Sequence, residues 1–492
     1  MSNAQHHRFI RRVAFGLAPG QALPSSPLDW ALAQVQARPA PPIDWLDPDG
    51  QPHRDRPELA RLRWTMDEVM HAFHAHQEAE RRSFAMGRSG DKAAYEAFRR
   101  TEVSIPYHRM AHWVEVQARV TTALYGAQPV FERFWHFWTN HFMVAPGNQN
   151  NDTLIGPYQR HLRALMGGSY RDMLWSAVTH PGMLVYLDNN ENTGPNSRAK
   201  RERWTRNTIN ENLGRELLEL FTLSPAAGYT QQDVDATTLI LTGWRDMKPD
   251  RYRPAGAPLG TYFDFNRHEP GSQTVLGKRY QALFKPSAKL EDLITDLAAH
   301  PATAEHMARK LCTVFVDDDP PAAAVAQVRQ AWMDSQGHLP TVHQAVLRAV
   351  WTHLPTTRKF STPEAWLVQT LHTSGLPPPS QDLMSEAPGF RTIHWLGDLG
   401  QPLPRCPQPN GWPIRSADWI SKEMLDRRVR LSLVLQRQFA SAQPDGQAFF
   451  EQVVAPSLPD TPDARLVLES ARAGRWMQAF VLWHASPSML WS

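Results

Sequence analysis

Cysteine is scarce in this sequence of 492 residues. Its two cysteines, Cys312 and Cys406, allow at most one disulfide and match neither a CxxC pair nor a zinc-binding pattern. A fold stapled by several disulfides and a cysteine-based zinc site are therefore excluded. Cys312 lies in the apolar run KLCTVFV, where a small buried thiol is expected.

Long apolar runs are also missing. No segment approaches the roughly 18 uninterrupted apolar residues that indicate a membrane-spanning helix. Arg11 and Arg12 resemble the start of an export signal, but the following VAFGLAPGQALP is too short and too interrupted by Gly and Pro. We therefore expect neither a transmembrane segment nor an export signal in the sequence as written.

Neither sign of charge dominates. Lys and Arg number 52 against 49 Asp and Glu, a formal charge of +3. This balance argues against nucleic-acid binding by bulk electrostatics, so any anion site must be local. The sequence also has no GxSxG, HExxH, GxGxxG or Walker motif, and no nucleotide or haem motif.

Helical periodicity dominates what is present. Hydrophobic residues make up 42% and charged residues 21% of the chain, which is typical of a globular protein. The apolar spacing predicts a mainly all-α, multi-helical fold. Around residues 260–283, TYFDFN and QTVLGKRY flank the turn-rich RHEPGS, which predicts a β-hairpin insertion with His268 and Glu269 at its tip.

The domain organisation is predicted from composition. Residues 1–376 form the main helical domain, which includes the hairpin insertion. Residues 377–492 contain a Pro-rich segment and closing helices that we expect to pack on the same core.

Polar residues are densest in residues 204–223, WTRNTINENLGRELLELFTL. This stretch predicts a helix of about five turns. Asn212, Glu216 and Glu219 fall on one of its faces at i, i+4 and i+7. An apolar stripe on another face is expected to anchor the helix: Leu213, Leu217, Leu220 and Phe221.

The polar face has two interpretations. In the first it is a solvated surface, on which Arg215 bridges Glu211 and Glu219 at i±4 spacing. In the second it lines a cleft, where Glu216 and Glu219 serve as metal ligands or as an acid/base pair.

Three further polar positions also have alternative interpretations. His141 lies among the aromatic residues of VFERFWHFWTNHFMV and is either a hydrogen-bonded core residue or a ligand. Asp188 begins the oxygen-rich DNNE, which is typical of a turn or of a hard-cation site. Asp233 has the capping-box spacing from Thr230, which favours a structural role at a helix start.

Ordered motifs across about 400 residues resemble a large bacterial family catalogued as "domain of unknown function 1800". The motifs are RFIRRVAFG, FWTNHF, HPGMLVYLDN, NENLGRELLELFTL, GYTQQDV, LTGW, HPATA, KLCTVFVDDDPP and PNGWP with Trp419. The resemblance implies a mostly helical fold, often an export signal, and therefore a periplasmic or other extracytoplasmic location. Without a signal, the alternative location is cytoplasmic.

The sequence departs from the family pattern at several positions. Phe221 occupies a position where members often have His, Ser224 replaces a common Gly, and Glu269 stands where Asp is usual. If that His is a ligand in the family, Phe221 puts metal chemistry in doubt here.

The first functional hypothesis is a metal-assisted hydrolase acting on an extracytoplasmic polymer, such as a glycan or an anionic polymer. Its divalent metal ligands would be Glu216, Glu219, His141 and His268, with Glu211 or Asp188 as the base. Further polar candidates for the site are Asn212, Arg215, Asp233 and Glu269.

The second hypothesis is a non-catalytic partner or scaffold. The resemblance implies that family genes often accompany an alkaline phosphatase- or sulfatase-like protein, which would be the partner. The polar motifs would then be buried networks, because an unpaired buried charge costs several kcal/mol and requires neighbours such as Arg215.

Overall fold

The computed structural model describes residues 1–36, 38–42, 62–88, 91–98, 106–147, 151–246, 260–282, 284–378 and 392–492, with the backbone alone for 106–113. The predicted mainly all-α fold is confirmed. The α-helices of these residues are α1 (Asn3–Val13), α2 (Pro27–Gln36), α3 (Met66–Gly87), α4 (Lys92–Phe98), α5 (Pro106–Tyr125), α6 (Pro129–His141), α7 (Asp152–Leu165), α8 (Tyr170–Thr179), α9 (Pro181–Tyr186), α10 (Arg198–Arg201), α11 (Asn212–Glu216), α12 (Gln231–Leu241), α13 (Ala288–Ala299), α14 (Pro301–Phe315), α15 (Ala322–Ser335), α16 (Leu339–His353), α17 (Pro363–Ser374), α18 (Thr392–Asp398), α19 (Lys422–Ala442), α20 (Gly446–Phe449), α21 (Pro462–Arg472), α22 (Trp476–Ala485) and α23 (Pro487–Leu490).

Shorter elements complete the chain. Two π-helical turns cover Leu217–Phe221 and Phe450–Val454. The 3₁₀ turns are Asn189–Glu191, Pro225–Ala227, Ser416–Asp418 and Ala455–Ser457. The strands are β1 (Trp244–Asp246), β2 (Thr261–Phe263), β3 (Gln273–Val275) and β4 (Lys278–Tyr280).

The predicted small β-hairpin insertion is confirmed as β3 and β4, but the predicted pairing of TYFDFN with QTVLGKRY across RHEPGS is wrong. β2 pairs antiparallel with β1, and β3 pairs with β4 around Leu276 and Gly277. Both of these turn residues have positive φ, as a two-residue hairpin turn requires. His268 and Glu269 therefore lie between two small sheets, not at a hairpin tip.

The predicted helix over 204–223 is wrong in its first half. α11 begins at Asn212, and the chain before it is not helical. The Asn192 side chain holds this non-helical segment, because its Nδ2 donates to the Asn210 carbonyl at 2.9 Å and its Oδ1 accepts from the Asn210 amide at 2.5 Å. Local side-chain hydrogen bonds of this kind compete with helix formation.

Two large clusters make up most of the hydrophobic core of the described residues, and a third, of five buried residues, lies between α3, α7 and α9. The larger one includes Phe9, Phe134 and Leu311, and the smaller one includes Trp366 and Phe439. The smaller cluster combines helices on both sides of residue 376, since α5 and α17 pack there with α19 and α22. The predicted domain division at residue 376 stays a prediction.

Candidate functional site

Close backbone packing positions α11. A Cβ atom at Gly214 would lie 2.3 Å from Oγ1 and 3.1 Å from the amide nitrogen of Thr238 in α12. Leu213, Leu217 and Phe221 are fully buried in the larger cluster, so the predicted apolar stripe is confirmed at these positions. Leu220 is partly buried against the same cluster.

Two of the three helix carboxylates have structural partners. Glu211 accepts hydrogen bonds from Arg215 at 2.7 Å and from Gln231 at 2.6 Å. These bonds lower the pKa of Glu211. Glu219 accepts a hydrogen bond from the Tyr229 hydroxyl at 3.0 Å. The solvated-face interpretation therefore fits Glu211 and Arg215, whereas Glu219 has a different partner from the one predicted.

Glu216 is in a different environment. Burial and the neighbouring charge of Glu219 raise its pKa to about 7, while Arg215 opposes the shift. Burial together with the nearby Cys406 and Glu216 raises the pKa of the Tyr186 hydroxyl to about 12. The charges of Cys406 and Glu216 therefore both act on the Tyr186 hydroxyl.

His141 connects this region to α14. Its Nδ1 atom accepts a hydrogen bond from Lys310 Nζ at 3.0 Å, and its Nε2 atom faces the Tyr170 hydroxyl at 3.5 Å. Tyr170 donates in turn to the carbonyl of Phe221. Burial and the Lys310 charge hold the pKa of His141 well below its usual value. His141 is thus a neutral, hydrogen-bonded core residue, as its aromatic surroundings suggested.

Lys310 occupies the wall of a pocket of about 490 Å³, which we call the central pocket. Burial lowers the pKa of Lys310 to about 8. The 400–419 segment supplies most of the other walls, including Cys406, Gln408, Asn410, Trp412 and Trp419. Burial raises the pKa of the Cys406 thiol.

The PNGWP motif is fixed to α6 by Asn140. Its Oδ1 accepts from the Trp412 amide at 2.8 Å, and its Nδ2 donates to the Trp412 carbonyl at 2.9 Å. Gly411 has φ +81°, and a Cβ there would lie 2.2 Å from the Asn140 carbonyl oxygen. Asn140 and Gly411 together bring the Pro-rich segment onto the helical body.

His268 and Glu269 lie in a buried network beside β1 and β2. His268 Nδ1 lies 2.7 Å from the Thr242 carbonyl, and burial lowers the pKa of His268 to about 4. Glu269 accepts from both the backbone and the side chain of Asn196, at 2.9 and 2.7 Å. Lys289 donates to the Glu269 carbonyl at 3.1 Å. These bonds join the loop after α9 to the sheet region.

The remaining predicted site residues lie in turns and caps. Asp233 closes a capping box with Thr230, as predicted, and its other oxygen accepts from the Leu276 amide at 2.6 Å. Asp188 has left-handed φ of 57° and precedes a 3₁₀ turn. The neighbouring Asn189 is fully buried and donates to the carbonyls of Leu241 and Trp244. Asn212 is exposed at the start of α11.

The predicted metal ligands do not fit one metal centre. His141 already accepts from Lys310, and His268 belongs to the separate network around Thr242. Within the described residues, no group of three or more His, Cys, Asp or Glu side chains is arranged to hold a metal ion. Divalent metal binding therefore stays a prediction.

Several polar residues that line the pockets were not predicted as site residues from the sequence. Lys310 interrupts an apolar helix face, which was a usable signal for a buried amine. Arg133 and His136 had no comparable signal, because a charged residue on an aromatic helix is equally consistent with an outward face. The missed Glu364 comes from α17, distant in sequence from both.

The fold and site define a mainly helical protein with a polar pocket beneath a Pro-rich segment. The family model described as "Protein of unknown function (DUF1800)" matches residues 8–491, and the chain belongs to this family. Comparisons with curated proteins and with solved structures gave no match. Among the described helices, none is both long and apolar enough to cross a membrane.

Proposed function

We propose that the protein is a hydrolase acting on an extracytoplasmic polymer or glycan, with reaction at the central pocket. Glu216 donates a proton to the leaving oxygen, and Lys310 accepts a proton from the attacking water. The observation that carries the proposal is the position of Lys310 in the wall of the central pocket, together with Cys406. Glu216 is not among the lining residues of this pocket, and its assignment is supported by the raised pKa of Tyr186, to which the charges of Glu216 and Cys406 both contribute.

The protonation states of the two groups support this assignment. Glu216 has a pKa of about 7 and Lys310 a pKa of about 8. Burial thus raises the pKa of the acid and lowers the pKa of the base, so both approach neutral pH. This is the usual requirement for proton transfer near neutral pH. Glu211 fits the role of base less well, because its carboxylate is committed to Arg215 and Gln231.

The hydrogen bond to His141 supports the orientation of Lys310. Because Nδ1 of neutral His141 accepts from the amine, its ring proton lies on Nε2 and faces Tyr170. The neutral amine of Lys310 keeps a lone pair for a water proton. The water oxygen then bonds to the electrophilic carbon, and the cleaved bond leaves its electrons on the oxygen that Glu216 protonates.

The pocket lining supports a sugar-containing substrate. Trp412 is partly exposed, and the amides of Gln408 and Asn410 are exposed beside it. An indole face with neighbouring amides offers apolar contact and hydrogen bonds together, as polyhydroxylated ligands require.

The test is to incubate the purified protein with a panel of neutral and acidic polysaccharides. Hydrolysis is measured as the release of reducing ends. Glu216→Gln and Lys310→Met should each lower kcat/KM by about 10²-fold or more, the usual contribution of acid/base catalysis. Glu202→Gln and Lys278→Met are the matched controls, since both residues are exposed and paired outside the pocket.

Equal loss of activity in the control variants would contradict the assignment. So would unchanged activity after Glu216→Gln in a protein that hydrolyses a panel member. Metal analysis of the same preparations, with and without Glu216→Gln, tests the metal-assisted form separately. Activity that persists in metal-free folded protein would rule out that form alone.

A second candidate function is the non-catalytic partner of a phosphatase- or sulfatase-like protein. An exposed aromatic surface favours it: Trp204 and Phe265 are 54% and 58% exposed, and the Arg198 guanidinium lies 5.1 Å from the Trp204 ring. Replacing Trp204 and Phe265 together by Ala should abolish capture of a phosphatase- or sulfatase-like protein by this chain. Phe84→Ala, at a separate exposed aromatic, is the control. Absence of capture by the wild-type chain would remove this candidate.

A further inference from the structure

A second, smaller cavity lies where the two hydrophobic clusters meet, and we call it the inner cavity. Its walls come from α5, α6, α17 and the 401–414 segment. It shares Trp412, Pro413 and Ile414 with the central pocket, so one segment of chain separates the two spaces.

Buried donors without partners line the inner cavity. His136 is 5% exposed, and its Nε2 atom has no hydrogen-bond partner among the described residues. Its Nδ1 atom makes no hydrogen bond either, but it lies 3.5 Å from Oε1 of Glu364. Nε of Arg133 and the indole Nε1 of Trp412 also have no hydrogen-bond partner among the described residues. Buried polar groups are normally satisfied, so a cluster of orphaned groups around one cavity points to a missing acceptor.

The charges around the cavity favour an anion. Its described lining contains the cations Arg119, Arg133 and Lys359 against one carboxylate, Glu364. Arg119 donates two hydrogen bonds to the Glu364 carboxylate, at 2.6 and 3.1 Å. Lys359 forms an ion pair with Asp318.

Arg133 therefore has no hydrogen-bonded carboxylate of its own, and the charge of Glu364 acts on it without a direct contact. Its guanidinium makes no hydrogen bond within the described part of the chain and lies near the rings of Phe15 and Phe315. Burial lowers the pKa of Arg133 to about 10, which leaves it protonated at neutral pH. Arg133 is partly buried, and a cation removed from water without a hydrogen-bonded counter-ion is costly, so a bound anion would reduce that cost.

The size of the cavity sets the class of anion. Its volume is about 60 Å³. Since one water needs roughly 10–15 Å³ of such space, the cavity has room for about four water-sized groups. This is the size class of a sulfate, phosphate or carboxylate group, not of a nucleotide.

We propose that the inner cavity is a binding site for a small oxyanion, held by Arg133, His136 and the Trp412 indole N–H. Arg133 supplies the positive charge and several N–H donors. Either ring nitrogen of His136 can carry the hydrogen that is donated to the anion. The proposal does not depend on the hydrolase assignment. The oxyanion is either free or a substituent of a larger saccharide.

The experiment is isothermal titration of the full chain with sodium sulfate and sodium phosphate at constant ionic strength. Wild-type protein should show saturable binding of one anion per chain. Arg133→Gln should weaken it by about tenfold or more, the usual effect of losing a charged hydrogen bond. Trp412→Phe removes the N–H but keeps an aromatic ring, and should weaken binding less.

Arg171→Gln is the control, because Arg171 pairs with Asp172 and Glu291 away from the cavity. No saturable binding by the wild-type chain, or equal affinity in wild type and in folded Arg133→Gln and Trp412→Phe, would overturn the proposal. A competition experiment then distinguishes a free anion from an anionic substituent of a saccharide. Displacement of sulfate by a sulfated or uronic-acid oligosaccharide supports a substituent, and displacement by inorganic anions alone supports a free ion.

Discussion

Lys310 Nζ donates a hydrogen bond to His141 Nδ1 across 3.0 Å, joining the KLCTVFV motif to the FWTNHF motif. The two residues are 169 positions apart. Burial lowers the pKa of both groups, so a neutral imidazole and a readily deprotonated amine share one site. This relationship gives the central pocket its base.

The first prediction concerns the titration of Lys310. Its amine should react with an acylating reagent with a midpoint near pH 8, because burial disfavours the ammonium form. Mass spectrometry of labelled peptides as a function of pH measures this midpoint. His141→Phe should lower it further, since the ammonium loses its acceptor. Exposed Lys278 is the comparator, and identical pH profiles for the two lysines would contradict the prediction.

The second prediction concerns stability and pH. Glu216 has a folded-state pKa of about 7 against an ordinary value of 4.5. Its contribution to stability is fully present below about pH 4.5 and is lost as pH rises through 7, because the folded state must then ionise a half-buried carboxyl. Wild-type protein should therefore lose on the order of 1 kcal/mol of unfolding free energy as the pH rises, after solvent screening is allowed for. Glu216→Gln should not show this loss.

Denaturant unfolding of wild type and Glu216→Gln at pH 5 and pH 8 measures this difference. Glu219→Gln should also reduce it, because the Glu219 charge raises the pKa of Glu216. Glu202→Gln is the control. An equal change in unfolding free energy between the two pH values for wild type and Glu216→Gln would refute the assignment.

The third prediction concerns the packing of α11 on α12. Gly214→Ala should destabilise the protein by about 1–3 kcal/mol, because the new Cβ would lie within 2.3 Å of Thr238 Oγ1. Thr238→Ala should recover part of this loss in a double-mutant cycle. Gly397→Ala is the matched control, since its Cβ would meet only Pro402 Cβ at 3.8 Å. Thermal or denaturant unfolding of the wild type, the two single variants, the double variant and the control measures these differences.

The fourth prediction concerns the attachment of the Pro-rich segment. Asn140→Ala should cost about 1–3 kcal/mol, because it leaves the Trp412 amide and carbonyl without their partner. Hydrogen exchange should accelerate at the Trp412 amide more than in α6. Asn410→Ala, in the same segment, is the control. Unchanged protection of Trp412 in Asn140→Ala would show that other contacts hold the segment.

Local signals in the sequence were reliable where the interaction itself is local. The Thr230 and Asp233 capping box was predicted from spacing and is present. The burial of Leu213, Leu217 and Cys312 also followed from apolar patterning. Helix periodicity likewise established the mainly helical fold.

Predictions failed where a distant part of the chain decides the local structure. The helix over 204–223 was wrong before Asn212, because Asn192 binds the backbone of Asn210 from a separate loop. The hairpin pairing was wrong because β1, from the LTGW motif, takes β2 as its partner. Neither partner is identifiable from the periodicity of the segment alone.

The sequence by itself determined the helical class, the caps and the buried faces, because these depend on residues within a few positions of one another. Only the tertiary structure decided which polar groups work together. It separated His268 from His141, paired Glu219 with Tyr229, and brought Lys310 beside His141. The physical reason is that ionisation depends on burial and on charges from other elements, and spacing along the chain contains neither quantity.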